Sequence, residues 1–415
     1  ACHWRSSHAV MRSVSFVDRL EFPISEKVCR SGVSLGDVDG DGDNELIVGT
    51  MCGTLMVFKG DGRHPWFQSS VSGMIVATIV GDICNTGHNY LVVLTVEGLC
   101  VIYCMKDRKP GDKDPPFHSQ ILPANVKQLL LTDADNDGAV ELVMVLTDRV
   151  LRTYRWLPDD FTATAVPPKG KLIGLGKWEF ASQIGNATTF TEEDGSRRLL
   201  IVHPGGALVK INSAHKEDSS GELGNMESPI NFLPLSSNRM RNPNISAEVI
   251  GDLKIKEKKN TDPSPIAIAT LDGTLKLICG DTPLWSLHVD HQLFALSKMD
   301  VVGDGYDEVV ACAWNGLTYF VDSQQRSVRF HFDESVSTFT TGHYAVRPGE
   351  SLPCLIYGTF TGKLYLYYNL RISPLVTENL LVKLQNDPEW DQYLKSQSGS
   401  TSDVISKLLY ENHRE

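Results

Sequence analysis

Seven times along the chain, an apolar run of four to six residues meets a turn and then a run in which β-branched and aromatic residues alternate with polar ones. That is the pattern of a β-hairpin. The copies are ELIVGTMCGTLMVFK (45–59), YLVVLTVEGLCVIYC (90–104), ELVMVLTDRVLRTYRW (141–156), LLIVHPGGALVKIN (199–212), PIAIATLDGTLKLIC (265–279), EVVACAWNGLTYFVD (308–322) and PCLIYGTFTGKLYLYY (353–368). Their turn positions are Gly53, Gly98, Arg149, Gly206, Gly273, Gly316 and Gly362, spaced by 45, 51, 57, 67, 43 and 46 residues. Only Arg149 breaks the glycine rule. A period of this size leaves room for four short strands per repeat and predicts an all-β fold, a seven-bladed β-propeller. A β-sandwich fits less well, because sandwiches rarely repeat one hairpin at this period. In this reading the apolar first run is an inner strand buried on both faces and the alternating second run a middle strand.

The pattern also sets limits for the propeller at 11–372. SVSFVDRLEF, within residues 13–22, is expected to supply an N-terminal strand that closes the last blade and removes an open edge. Residues 213–244 are polar, with few apolar positions, and read as a mobile surface insertion. Residues 1–10 lack an apolar h-region and read as an extension outside the fold, with Met11 as the natural start. After the seventh hairpin the period changes to that of a short C-terminal helical tail over 373–415. Leu380, Leu381 and Leu384 share one face; Asp387 and Pro388 open a helix bearing Trp390, Tyr393 and Leu394; Ile405, Leu408 and Leu409 form a third stripe.

Composition narrows the classes. The 415 residues are 41% hydrophobic and 22% charged, with no run of eighteen apolar residues to enter a bilayer directly. A net charge of -12 argues against a nucleic-acid surface, which needs clustered Lys and Arg. Nine cysteines without metal spacing, several inside apolar runs (Cys100, Cys279, Cys312, Cys354), read as reduced thiols of a cytoplasmic protein. No nucleophile elbow, P-loop, dinucleotide fingerprint or zinc-protease motif occurs, so the expectation is a protein without catalytic residues. His288 and His291 in HVDHQ read as turn or solvent residues.

The segments before two hairpins carry the remaining chemistry. Asp37, Asp39, Asp41, Gly42 and Glu45, and again Asp133, Asp135, Asp137, Gly138 and Glu141, fit DxDxDGxxE. Alternate carboxylates before a glycine let the chain curl round a hard cation, and a carbonyl at Asp43 or Ala139 would add an oxygen. Both are candidate structural calcium loops. An EF-hand is excluded, since Val48 and Met144 stand where its bidentate glutamate belongs and a strand follows. The sister segments are degenerate: Asp82, Cys84, Thr86 and Gly87 in one, Asp300, Val302, Asp304, Gly305 and Glu308 in the other.

DxDxDGxxE opening a hairpin, followed by ELIVG, resembles the FG-GAP repeat of integrin α-subunits, which implies a seven-bladed propeller with calcium-binding loops. LGDVDGDGDNELIVG, PLWSLHVDHQLFAL and EVVACAWNGLTYFVD together resemble, more specifically, the intracellular integrin-α FG-GAP repeat-containing protein 2 family. The similarity covers Met11 to roughly residue 385. It implies a scaffold in the KICSTOR complex with kaptin and two other subunits, which brings the GATOR complex to the lysosomal surface and restrains mTOR signalling when amino acids or glucose are scarce. A secreted calcium-dependent ligand binder of integrin type and a propeller hydrolase are the other readings.

Overall fold

In the computed structural model the described residues are 12–14, 18–106, 108, 115–160, 166–211, 231–233, 244–256, 263–280, 282–370, 384, 388–396 and 404. The chain divides into two compact units, Met11–Ser373, and Ala1–Val10 with Pro374–Glu415.

The larger unit is all β. Two short strands come first, β1 (Arg12–Val14) and β2 (Asp18–Phe22). A first group of four is β3 (Val28–Gly36), β4 (Glu45–Thr50), β5 (Thr54–Phe58) and β6 (Phe67–Ser70), and a second is β7 (Ile75–Gly81), β8 (Tyr90–Thr95), β9 (Leu99–Tyr103) and β10 (His118–Ile121). Then come β11 (Val126–Thr132), β12 (Glu141–Leu146), β13 (Val150–Pro158) and β14 (Gly170–Glu179). The fourth group is β15 (Asn186–Thr191), β16 (Arg197–Val202), β17 (Leu208–Ile211) and β18 (Asn231–Leu233). The fifth is β19 (Ala247–Ile250), β20 (Ile266–Thr270), β21 (Thr274–Cys279) and β22 (Thr282–His288). The last two are β23 (Leu293–Met299), β24 (Glu308–Ala313), β25 (Leu317–Val321) and β26 (Ser327–His331), and then β27 (Val336–Arg347), β28 (Glu350–Thr359) and β29 (Leu364–Tyr368).

These strands form a β-propeller arrangement in six hydrogen-bonded sheets. The expectation of seven separate blades is corrected by that bonding. Five sheets have the size of one blade, with four or five strands; the sixth has eight, because the meanders β3–β6 and β7–β10 join through one parallel pair, Ser31 with Ala77. The first strands of successive groups adjoin one another, β3 beside β7, β7 beside β11, and so on to β27, which lies beside β3.

The apolar runs are the second strands of their groups, not the innermost ones as expected. β4, β8, β12 and β24 are buried at every residue, whereas β3 is buried only at Gly32 and Val33 and part-exposed or exposed elsewhere. The reason is geometric: a second strand is covered on both faces by neighbouring groups, while a first strand turns one edge to the middle of the ring. Clusters of apolar side chains span adjacent groups, as where Tyr90, Val92 and Ile102 pack with Leu142, Met144 and Trp156. Burial of each such side chain is worth about 1.5–3 kcal/mol.

Amide side chains clip neighbouring groups together. Asn136 donates Nδ2 to Arg197 O (2.8 Å) and accepts from Arg197 N (2.7 Å); Asn85 does the same with Val140, and Asn186 with Val249. Each clip satisfies both polar groups of one backbone residue.

The N-terminal strand expected over 13–22 is split. β2 pairs antiparallel with β29, from Asp18 opposite Tyr368 to Phe22 opposite Leu364, while β1 runs parallel to β26 in the neighbouring sheet. Within the 213–244 segment, Asn231–Leu233 forms β18 against β17, so this span supplies a strand; Asn244 is also described and its other residues lie outside the described ones. The helical tail is likewise not supported as a whole. One helix, α1 (Pro388–Ser396), is described, with Leu394 buried and Trp390 and Tyr393 exposed, and most of the residues expected in the other two helices lie outside the described ones.

Candidate functional site

The aspartate loops enter the second strands of their groups. In each, the first aspartate is consumed in shaping the turn. Asp37 accepts Gly40 N–H at 2.7 Å and Gly42 N–H at 2.9 Å; Asp133 accepts Asp137 and Gly138 N–H at 3.2 and 2.9 Å. The degenerate loops do the same, Asp82 with Thr86 and Gly87, Asp300 with Gly303 and Gly305. In each case a short carboxylate bonds its own backbone three to five residues downstream and fixes the loop. The closing glutamate reaches back from the strand: Glu45 Oε2 accepts Val38 N–H at 2.9 Å, Glu141 Oε2 accepts Ala134 N–H at 2.7 Å, and Glu308 Oε2 accepts Val301 N–H at 2.8 Å.

The remaining carboxylate oxygens of the two full loops converge on a basic side chain. Lys59 Nζ lies 2.5 Å from Asp39 Oδ2, 2.9 Å from Asp41 Oδ2 and 3.1 Å from Glu45 Oε1. Arg155 places Nη2 3.0 Å from Asp135 Oδ2, Nη1 2.7 Å from Asp137 Oδ2 and Nε 2.8 Å from Glu141 Oε1, with Nη2 also on Glu141. Asp39 Oδ1 is buried and takes no hydrogen bond among the described residues. Two groups of carboxylates bring oxygens within 4.8 Å of one another, Asp37, Asp39 and Asp41, and Asp133, Asp135 and Glu141. The Asp43 side chain accepts Gly349 N–H at 2.8 Å, and Ala139 donates its N–H to Asp137.

Burial sets the electrostatics of the closing glutamates. It pushes Glu45 up to about 7, against the pull of Val38 N–H and Lys59, and pushes Glu141 up by the same cause. Burial works against the Lys59 charge, yet the bonds to Asp39, Asp41 and Glu45 outweigh it and hold the ammonium protonated well above the ordinary lysine value. Asp41 is held low: burial opposes its charge, and Lys59 with Asp43 N–H overcomes it.

Calcium coordination by these loops would take six to eight oxygens at about 2.3–2.6 Å. Here, apart from the unpaired Asp39 Oδ1, the carboxylate oxygens of Asp39, Asp41 and Glu45 and of Asp135, Asp137 and Glu141 that face the base are engaged by an ammonium or a guanidinium, and those of the first aspartate by backbone N–H groups. The residues present do not fit a calcium ion while Lys59 and Arg155 hold these positions.

Lys59 and Arg155 are the residues that reading the motif misses, and the signal for them is hairpin register. Leu46 pairs with Phe58 and Leu142 with Tyr154, so the next positions outward set Glu45 opposite Lys59 and Glu141 opposite Arg155. The two histidines of HVDHQ lie on separate partners, His288 against Thr274 Oγ1 and His291 against Tyr319 Oη at 2.8 Å. His291 also lines a cavity of about 480 Å³ with Asp290, Trp314 and Phe360. Among the described residues no helix is long and apolar enough to cross a membrane.

A ring of strand meanders entered through aspartate-tied loops defines a β-propeller built of FG-GAP-type repeats. The chain belongs to the Integrin-alpha FG-GAP repeat-containing protein 2 family, whose model matches residues 59–372. It is 36% identical to the mouse (Mus musculus) KICSTOR complex protein ITFG2 over 97% of this chain and 96% of that one. The Bos taurus protein of the same name is 37% identical over 91% of this chain and 75% of its own. Among solved structures, BBS1N in complex with ARL6DN, soaked with mercury, is similar in fold at TM-score 0.60 and 15% identity, covering 88% of this chain and 100% of that chain.

Proposed function

We propose that this chain is a non-catalytic propeller subunit of the KICSTOR complex. The observation that carries this reading is the likeness to the mouse protein of that name over 97% of the chain. The Met11–Ser373 unit then serves as a rigid platform for other subunits, kaptin among them, and through them for the GATOR complex at the lysosomal surface. Its contribution is to restrain mTOR signalling when amino acids or glucose are scarce. The closed strand ring supports this role, since it offers binding faces whose shape does not depend on a ligand. The basic side chains in the aspartate loops count against a calcium-dependent ligand binder of integrin type.

The test is a cell line lacking the protein, deprived of amino acids and scored for phosphorylation of mTOR substrates. Phosphorylation persisting through starvation, and falling again when the intact chain is restored, is the expected result. A normal starvation response in the deficient cells would contradict the reading.

A further inference from the structure

The four loops allow an internal comparison. Where the middle position is aspartate, Asp39 or Asp135, the residue opposite the closing glutamate is basic, Lys59 or Arg155. Where the middle position is Cys84, the closing position is Tyr90 and the hairpin register, Leu91 with Tyr103, sets Cys104 opposite it. Where it is Val302, the register of Val309 with Val321 sets Asp322 opposite Glu308, and Asp322 bonds Arg326 instead. The middle carboxylate and the cross-strand base are therefore present together or absent together.

Geometry explains the coupling. A middle carboxylate beside Asp41 and Glu45, or beside Asp137 and Glu141, adds like charge that a cation or a proton must meet. A base on the adjoining strand supplies that cation from within the chain. Lys59 reaches one oxygen from each of Asp39, Asp41 and Glu45, and Arg155 reaches Asp135, Asp137 and Glu141. Neither base is free to swing into solvent at little loss, since each side chain is about three-quarters buried, with 24% of its surface exposed. A divalent ion would have to expel it and leave a positive charge beside its own.

We propose that Lys59 and Arg155 are tethered cations that take, in the loops Asp37–Glu45 and Asp133–Glu141, the place that calcium holds in loops of the integrin type. Both loops then close without metal. Loss of either base exposes a cluster of carboxylates fit for a divalent cation.

The experiment uses the full chain, with calcium chloride as the probe, followed by thermal melts and calorimetry. Wild type is expected to melt at one temperature in chelator and in about 5 mM calcium, a concentration above the dissociation constants of weak extracellular sites. Lys59→Met and Arg155→Met are each expected to melt lower in chelator and to be raised again by calcium. For a variant that is unfolded in chelator, recovery of folded circular dichroism on adding calcium is the same readout. Saturable calcium heat or a calcium-raised melt in wild type overturns the proposal. So do two variants whose melts, or unfolded spectra, calcium leaves unmoved.

Discussion

Arg30 on β3 meets Glu248 on β19 at 2.9 Å, an ion pair between first strands 218 residues apart in the chain. The Arg30 guanidinium also lies over the Phe294 ring of β23, 5.7 Å from its centroid. One side chain thus ties the first strands of three groups across the inside of the ring. The Glu248 side chain is 8% exposed, and that decides the energetics: it draws its hydrogen-bonded counter-charge from Arg30, with the Lys127 ammonium also acting on it, whereas Arg30, at 40%, keeps much of its hydration.

Arg30→Ala is therefore expected to destabilise the propeller by about 1–2 kcal/mol, below the range for a fully buried pair because one partner is part-exposed. Glu248→Gln should lose less, since the amide still offers Arg30 an acceptor and no buried carboxylate is left without its hydrogen-bonded partner. Urea unfolding of both single variants and the double variant checks this, and additive losses would show that the pair does not couple.

Glu308 predicts a pH dependence of stability. Burial first, then the charges of Asp300, Asp304 and Asp322, raise its carboxyl from 4.5 to about 7, against the pull of Val301 N–H. A folded-state value above the unfolded one means that this group's contribution is full below about pH 4.5 and is lost as the pH rises through about 7. Glu308→Gln keeps an acceptor for Val301 N–H and removes the titration. At pH 8 it should be more stable than wild type by on the order of 2 kcal/mol, with the advantage gone near pH 4.5. Unfolding measured across that window reads the slope; parallel curves for the two proteins would refute the assignment.

The hairpin turns predict a contrast in sign. Gly98 sits at φ +92, and a Cβ there would lie 2.1 Å from Leu122 O, so Gly98→Ala should destabilise by about 3 kcal/mol. Arg149 holds the same left-handed conformation at φ 70 with a side chain attached. Arg149→Gly should relieve about 1 kcal/mol of that strain, offset in part by loss of the exposed bond from Arg149 Nη1 to Ala181 O. Thermal melts of the two variants should shift in opposite directions.

Much of the fold is legible along the chain because its signals are local. Alternation and β-branching mark the strands, and all seven turn positions named from the sequence, Arg149 included, have positive φ. What is not legible depends on register or on distant strands. Ser31 and Ala77 join two meanders through a backbone pair that their side chains do not announce. The apolar runs read as innermost because burial on two faces shows in a sequence, while place along the sheet does not. Lys59 and Arg155 look like ordinary solvated charges until hairpin pairing sets them opposite Glu45 and Glu141. The aspartates are legible in the motif; what neutralises them stands on the strand across from them.

The most direct measurement of the central claim is affinity purification of a tagged full-length copy from cells, with identification of what comes with it. Recovery of KICSTOR subunits, kaptin among them, in stable proportion and equally in calcium and in chelator is the predicted result. Recovery of none of them, from cells that express them, would contradict it.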